Sequence, residues 1–189
     1  FVKRAFDIAF SLCVVVVGLA PIALLLLIIR LESPGSPIYR QERIGYRGQP
    51  LRIFKLRTMV ADSDDVEKHL SPEQLAQWRS ERKVEDDPRV TRVGRFLRRT
   101  SLDELPQFLN VLAGSMSIVG PRPVVADELP AYGTDVDAFL SMKPGITGWW
   151  QVQARNDATY EDGSRQQLEL YYVRNANLKL DVVVFLETF

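Results

Sequence analysis

From Ile8 to Ile29 the chain runs 22 residues without a formal charge, and Ser11 is its one hydroxyl. That is about the length a helix needs to cross a hydrocarbon core. Lys3 and Arg4 precede the run and Arg30 follows it. Basic residues at both ends suit a re-entrant segment that returns to its own face, because positive charge stays cytoplasmic. Pro21, with Gly18 close by, predicts a bend, since a mid-helix proline removes a hydrogen bond and strikes the previous turn. A simple span and a re-entrant hairpin both stand open on these features. A buried soluble helix is a third reading. It fits poorly, because Val14–Val17 and Leu24–Ile29 have no polar face to turn to water. A cleaved signal peptide would share the basic start, but the run is long and no small-residue cleavage site follows it.

Beyond the apolar run the pattern breaks into short pieces. Glu32–Pro37 (ESPGSP) is rich in turn formers. Pro37–Arg40 and Leu51–Leu56 read as extended, with a turn at Gly45–Gly48. Val60–Glu85 is polar and predicted helical, and Ser71-Pro72-Glu73 is a helix-start signal. Arg89–Arg99 carries arginines at 89, 92, 95 and 98. That step predicts a helix with one basic face and Val90, Val93, Phe96 and Leu97 on the other. Such a helix can lie at a membrane surface or be half-buried in a core. Leu105–Leu112 is a second apolar helix, ended by Gly114-Ser-Met-Ser117. Glu128–Leu140 reads as a helical pair around Gly133. Lys143–Gly148 reads as a loop leading into Trp149-Trp150. The apolar pattern of Leu178–Phe189 runs on without a stop signal, which predicts further residues beyond it.

Length and charge narrow the picture. A chain of 189 residues suits one domain with a real core. Lys and Arg number 24, as do Asp and Glu, so net charge selects no partner and gives no reason to expect nucleic acid. The distribution says more. Ile38–Arg57 holds six basic residues and one acid, Val60–Pro88 nine acids and four bases, and Arg89–Arg99 five arginines and no acid. Basic blocks of this kind attract anions locally. The single Cys13 forms no internal disulfide and reads as a small buried hydrophobe. The one histidine, His69, has no partner residues for a metal nearby and reads as a surface side chain.

The chemistry concentrates at Asp103-Glu104, between the arginine-rich segment and the apolar helix. Capping is one reading. Ser101 and Glu104 fit the S-x-x-E box, although Asp103 as the cap places Pro106 better, inside the first turn. Catalysis is the other. A helix start keeps a carboxylate ionised and attracts phosphate. An ionised carboxylate can attack phosphorus to give an acyl-phosphate. Upstream arginines can hold phosphates, because guanidinium binds their oxygens bidentately. Glu104 could help bind a hard cation such as Mg²⁺. The residues alone do not separate the two readings.

At these positions the chain resembles the monotopic polyprenyl-phosphate phosphoglycosyl transferases, the bacterial sugar transferases. The matching strings are Phe54-Lys-Leu-Arg-Thr-Met59, Asp87-Pro-Arg-Val-Thr-Arg-Val-Gly94, Arg99-Thr-Ser-Leu-Asp-Glu-Leu-Pro-Gln107, Val119-Gly-Pro-Arg-Pro123, Lys143-Pro-Gly-Ile-Thr-Gly148 and Gln151-Val152. The resemblance runs from Lys3 to near the end and is nearest the undecaprenyl-phosphate hexose-1-phosphate branch.

The resemblance implies a mainly α fold with a small β component. Residues 1–32 would form a re-entrant membrane helix hairpin. Residues 33–189 would form a catalytic domain at the cytoplasmic face of the bacterial inner membrane, with amphipathic interfacial helices packed on it. It implies transfer of a hexose-1-phosphate from a UDP-sugar to undecaprenyl phosphate, with release of UMP, as the first membrane step of capsule, O-antigen or exopolysaccharide assembly. Asp103 would be the nucleophile of a ping-pong mechanism and Glu104 its partner, both around Mg²⁺. Lys55, Arg57, Arg98, Arg122 and Gln151 become substrate-binding candidates. A homodimer follows by resemblance only.

One departure is Ala20-Pro21, where some members have serine before the proline. The missing hydroxyl leaves open how the freed carbonyl is satisfied. Larger members carry additional N-terminal membrane helices, so the chain reads as a short member or as the catalytic domain of a longer one. Rival functions are the same transfer of an N-acetylated or diacetamido sugar-1-phosphate, a glycosyltransferase that releases UDP, and a non-catalytic scaffold on anionic lipid.

Overall fold

The computed structural model describes residues 1–81, 84–154 and 163–188. Its first element, α1 (Val2–Glu32), is a single helix with Pro21 inside it. At 1.5 Å per residue its 31 residues extend about 46 Å, more than a hydrocarbon core is thick. Only 6 % of its most apolar stretch is buried. That excludes the soluble core helix. Cys13 is exposed rather than buried, because this part of α1 has so little protein around it.

After α1 the chain forms a hairpin of β1 (Ile38–Ile44) and β2 (Pro50–Leu56), joined by a 3₁₀ turn at Tyr46–Gly48. Gly48 has φ +73°, a conformation that favours glycine. The predicted helix over Val60–Glu85 is in fact two short ones, α2 (Val66–His69) and α3 (Pro72–Glu81). Asp65 caps the first through the Lys68 N–H. Ser71 starts the second: its hydroxyl accepts from the Gln74 N–H, and its own N–H donates to the Gln74 side chain. Residues 82 and 83 of the predicted span lie outside the described residues.

Next come α4 (Arg92–Thr100), a 3₁₀ turn at Leu102–Glu104, α5 (Gln107–Leu112) and β3 (Ser117–Val119). A 3₁₀ segment at Ala126–Asp135, broken at Gly133, leads into α6 (Val136–Leu140). The predicted loop at Lys143–Gly148 holds a strand, β4 (Gly145–Thr147), followed by α7 (Trp149–Ala154), α8 (Ser164–Asn175) and α9 (Leu178–Thr188). Phe189 lies outside the described residues. β4 pairs in parallel with β3, Ser117 opposite Gly145 and Val119 opposite Thr147. Three residues between glycines are too short for a visible alternation, and the pairing partner lies far away in sequence.

The chain divides into two compact units. One comprises residues 18–39 and 55–105. Its core is Ile29, Leu56 and Leu97, with Leu25, Leu26, Val93 and Leu102 against them. Burying each such side chain is worth about 1.5–3 kcal/mol. The other comprises residues 1–17, 40–54 and 106–189. In it Val124, Tyr132 and Phe139 form a cluster, the two rings stacked at 4.0 Å. Phe6 and Phe10 of α1 meet Phe185 of α9 edge-on. The same end of α1 is held by polar contacts. Arg4 donates to the last carbonyls of α5, at Val111 and Leu112. Buried Asp7 accepts from the Ser117 hydroxyl at 2.7 Å and the Ile118 N–H at 3.2 Å.

Candidate active site

Asp103 and Glu104 lie in the 3₁₀ turn, one residue past the end of α4. Ser101 closes that helix in the left-handed conformation, φ 56°, and so turns the chain. Neither capping reading holds. The position before α5 is Pro106, no side chain caps α5, and Ser101 does not cap the 3₁₀ turn. The proline at this position already lacks an N–H, so the helix start has one donor fewer to satisfy. The Asp103 carboxyl is thereby left without a capping task.

Burial raises the Asp103 carboxyl above the ordinary aspartate range, and the neighbouring Glu104 adds to this. Lys55 and Arg98 act in the opposite direction. Lys55, from β2, donates to Glu104 Oε1 at 2.9 Å. Both side chains are partly buried. Lys55, Arg98, Asp103 and Glu104 therefore form one electrostatic group within one unit. Two adjacent carboxylates are a donor set that fits Mg²⁺. This ion is commonly held by one or two carboxylates, with substrate phosphates and water completing its shell. Glu104 would share its charge between the ion and Lys55. Among the described residues, no group of three or more acidic, histidine or cysteine side chains is placed to make a protein-only cage.

The predicted arginine face is split by the fold. Arg89 precedes α4 and is buried, gripping Asp87 through Nε and Nη2, with Nη1 on the Ser63 carbonyl. Arg98 turns its Nε onto Thr58 Oγ1 at 2.9 Å. Arg92, Arg95, Arg98 and Arg99 are all exposed, Arg98 with its Nε still bonded, and Phe96 is exposed among them rather than on the apolar side. Leu97 alone of the predicted apolar set is fully enclosed. Gly94 explains how closely α4 sits: a Cβ there would fall onto the Thr58 carbonyl, which accepts the Thr91 N–H.

Arg57 is held in the fold. Its terminal nitrogens donate to the Ser33 and Pro34 carbonyls, which closes the turn after α1. Burial lowers its pKa, and Arg30 adds to this. His69 contacts Asp62 at 3.1 Å.

Arg122 and Gln151 belong to the other unit. Gln151 donates to the Ile146 carbonyl, while its Oε1 is buried with no hydrogen-bond partner among the described residues. The Arg122 guanidinium stands 5.5 Å from the Trp150 ring, and that of Arg165 4.5 Å from the same ring. The Arg122 N–H donates to Glu169 Oε2 at 3.0 Å. Sequence reasoning missed Trp150, Arg165 and Glu169, as it missed Asp7. The available signal was spacing: Arg165, Glu169 and Tyr172 recur at i, i+4 and i+7, one face of α8.

Comparison with known proteins covers the whole chain. The undecaprenyl-phosphate galactose phosphotransferase of Salmonella typhimurium is 44 % identical over 191 residues, which cover all of this chain and 40 % of that protein. The exopolysaccharide production protein ExoY of Sinorhizobium fredii is 42 % identical, over 98 % of this chain and 83 % of its own. The UDP-glucose:undecaprenyl-phosphate glucose-1-phosphate transferase of Escherichia coli is 38 % identical, over 99 % of this chain and 39 % of its own. The chain thus spans about two fifths of the first and third of these relatives. The profile of the family described as "Bacterial sugar transferase" matches residues 1–189. On that match, and on relatives above 30 % identity, the chain belongs to the bacterial sugar transferase family.

Proposed function

We propose that this protein transfers a hexose-1-phosphate from a UDP-sugar to undecaprenyl phosphate, with Asp103 as the covalent nucleophile. The observation that carries the reading is the uncapped, partly buried Asp103 carboxyl beside the Lys55–Glu104 pair. The names of the relatives, which include a galactose and a glucose-1-phosphate transferase acting on undecaprenyl phosphate, support the substrate class.

In the first half-reaction an Asp103 oxygen attacks the phosphorus that carries the sugar. The P–O bond of the anhydride breaks, and UMP leaves with the bridging oxygen. In the second, an oxygen of undecaprenyl phosphate attacks that phosphorus. The acyl-phosphate P–O bond breaks and the Asp103 carboxylate is restored. One high-energy phosphate linkage replaces another at each step, so the work of the site is to bring anions together and screen them. Desolvation makes the Asp103 carboxylate more basic, hence a better nucleophile, while Lys55 and Arg98 favour its ionised form. Asp103 and Glu104 would hold Mg²⁺, which when bound supplies positive charge to the phosphate oxygens.

The exposed apolar surface of α1 supports seating in a bilayer. Each end of α1 is bonded to polar chain: Arg4 and Asp7 at its start, and at its end Glu32, which accepts the Val93 N–H. The basic residues at both ends of its apolar run, Lys3 and Arg4 before it and Arg30 after it, support a helix that enters and leaves by the cytoplasmic face rather than a span.

The test is to incubate the detergent-solubilised protein with a panel of UDP-sugars, Mg²⁺ and undecaprenyl phosphate. UMP release, and a phospho-sugar adduct when the acceptor is withheld, are expected. Asp103→Asn should abolish both. Release of UDP would make the protein a glycosyltransferase, and an adduct that persists in Asp103→Asn would remove Asp103 as nucleophile.

A further inference from the structure

α8 inverts the usual helix pattern. Its enclosed residues are Arg165, Gln166, Glu169 and Tyr172, so the face turned into the protein is largely charged and polar. Buried charge is expensive unless it is paired, and such groups are retained where they hold something in place. What Glu169 holds is defined by the sequence around its partner. In Pro121-Arg122-Pro123 both prolines lack an N–H, so Arg122 has the one backbone donor of the tripeptide. That donor is taken by Glu169 Oε2 at 3.0 Å. Glu169 is fully enclosed, and its second oxygen has no hydrogen-bond partner among the described residues. The Trp150 ring lies near both guanidiniums, 5.5 Å from Arg122 and 4.5 Å from Arg165. Cation–π contact at these distances orients a guanidinium as well as attracting it. Arg122 is thus held at two points, its backbone by Glu169 and its side chain by Trp150, whose ring Arg165 also contacts.

We propose that Glu169 is a positioning residue: it fixes the Arg122 backbone so that the guanidinium, directed by Trp150, is presented to a phosphate of the nucleotide sugar. The phosphate role of Arg122 rests on the function proposed above, whereas the bracket itself rests on geometry alone. A bidentate guanidinium contact tolerates little misplacement, so loosening its backbone weakens donor recognition without touching the donor.

Two measurements on the full chain test this. Amide hydrogen exchange resolved at the Arg122 N–H by NMR reads the bracket directly, because it is the one exchangeable amide between the prolines. Glu169→Ala should speed its exchange about tenfold or more, while Glu169→Gln, whose amide oxygen can still accept, should largely restore protection. Equal exchange in wild type and Glu169→Ala would overturn the proposal. The second measurement is kcat/KM for the UDP-sugar. Glu169→Ala should lower it about tenfold and Glu169→Gln should recover most of the loss. In an Arg122→Ala background, Glu169→Ala should add less than about twofold, because there is no guanidinium left to position. A loss that multiplies in that background would mean a general structural role and would also overturn the proposal. If the wild-type protein released no UMP from any UDP-sugar, the proposed function would fall, and the exchange measurement would still decide the bracket.

Discussion

Replacing Glu169 with glutamine should change how stability depends on pH, with little change in packing volume. The carboxyl is raised from 4.5 to about 7, first by burial, against which the Arg122 N–H and the charges of Arg165 and Arg122 act only in part. Tyr172, on the same face, is raised above the ordinary phenol range by burial and by Asp181, so it stays neutral throughout. Asp7 and Asp181 stand behind it. In the unfolded chain Glu169 titrates near its ordinary value. Between that value and about 7 the folded protein therefore binds the extra proton, and stability falls as pH rises. The contribution is complete below the unfolded pKa and lost as pH passes the folded one. At 1.36 kcal/mol per unit, the shift corresponds to roughly 3 kcal/mol. The assay is thermal unfolding of wild type and Glu169→Gln in one detergent at pH 5 and pH 8. Every other group titrates in both proteins, so the comparison isolates Glu169. Roughly 2.5 kcal/mol of this shift falls between the two pH values, so the variant should gain on the wild type by about 5–10 °C, at about 2–4 °C per kcal/mol. Parallel pH curves would refute the reasoning, because they would mean that Glu169 is as well solvated in the folded state as in the unfolded one.

Lys55→Met tests the electrostatics at Asp103. Its ion pair with Glu104 is partly exposed and worth about 1 kcal/mol or less, so the melting temperature should barely move. In the proposed mechanism Asp103 attacks in its ionised form, which Lys55 favours, so the acid limb of the kcat/KM profile should shift to higher pH; an unmoved limb would contradict the assignment. Gly94→Ala should destabilise by about 2–3 kcal/mol, read as a lower melting temperature, because the new methyl meets the Thr58 backbone and α4 must retreat. A variant as stable as wild type would show that α4 does not sit where that contact requires.

Sequence alone determined the elements whose causes are local. The uncharged run of 22 residues made α1, the turn at Gly45–Gly48 made the hairpin, and Ser71-Pro72 started α3. These depend on residues within a turn or two of one another, so the pattern carries them. The motif around Asp103 was legible too, but not whether it caps the next helix: only the structure puts Pro106 at that helix start, with no side-chain cap. The arginine spacing was equally visible and equally ambiguous. Arg89 lies inside because Asp87 and Ser63 receive it, and Arg98 is turned onto Thr58; no helical period reports these partners. The decisive pairs are long-range. Lys55 meets Glu104 across 49 positions, Glu169 meets Arg122 across 47, and Asp7 meets Ser117 across 110. A buried charge is stable only beside its partner, and the partner's place is set by packing. The sequence therefore supplied a long apolar helix and a nucleophile candidate. Tertiary structure decided which charges surround it and which side chains hold the loop that carries Arg122.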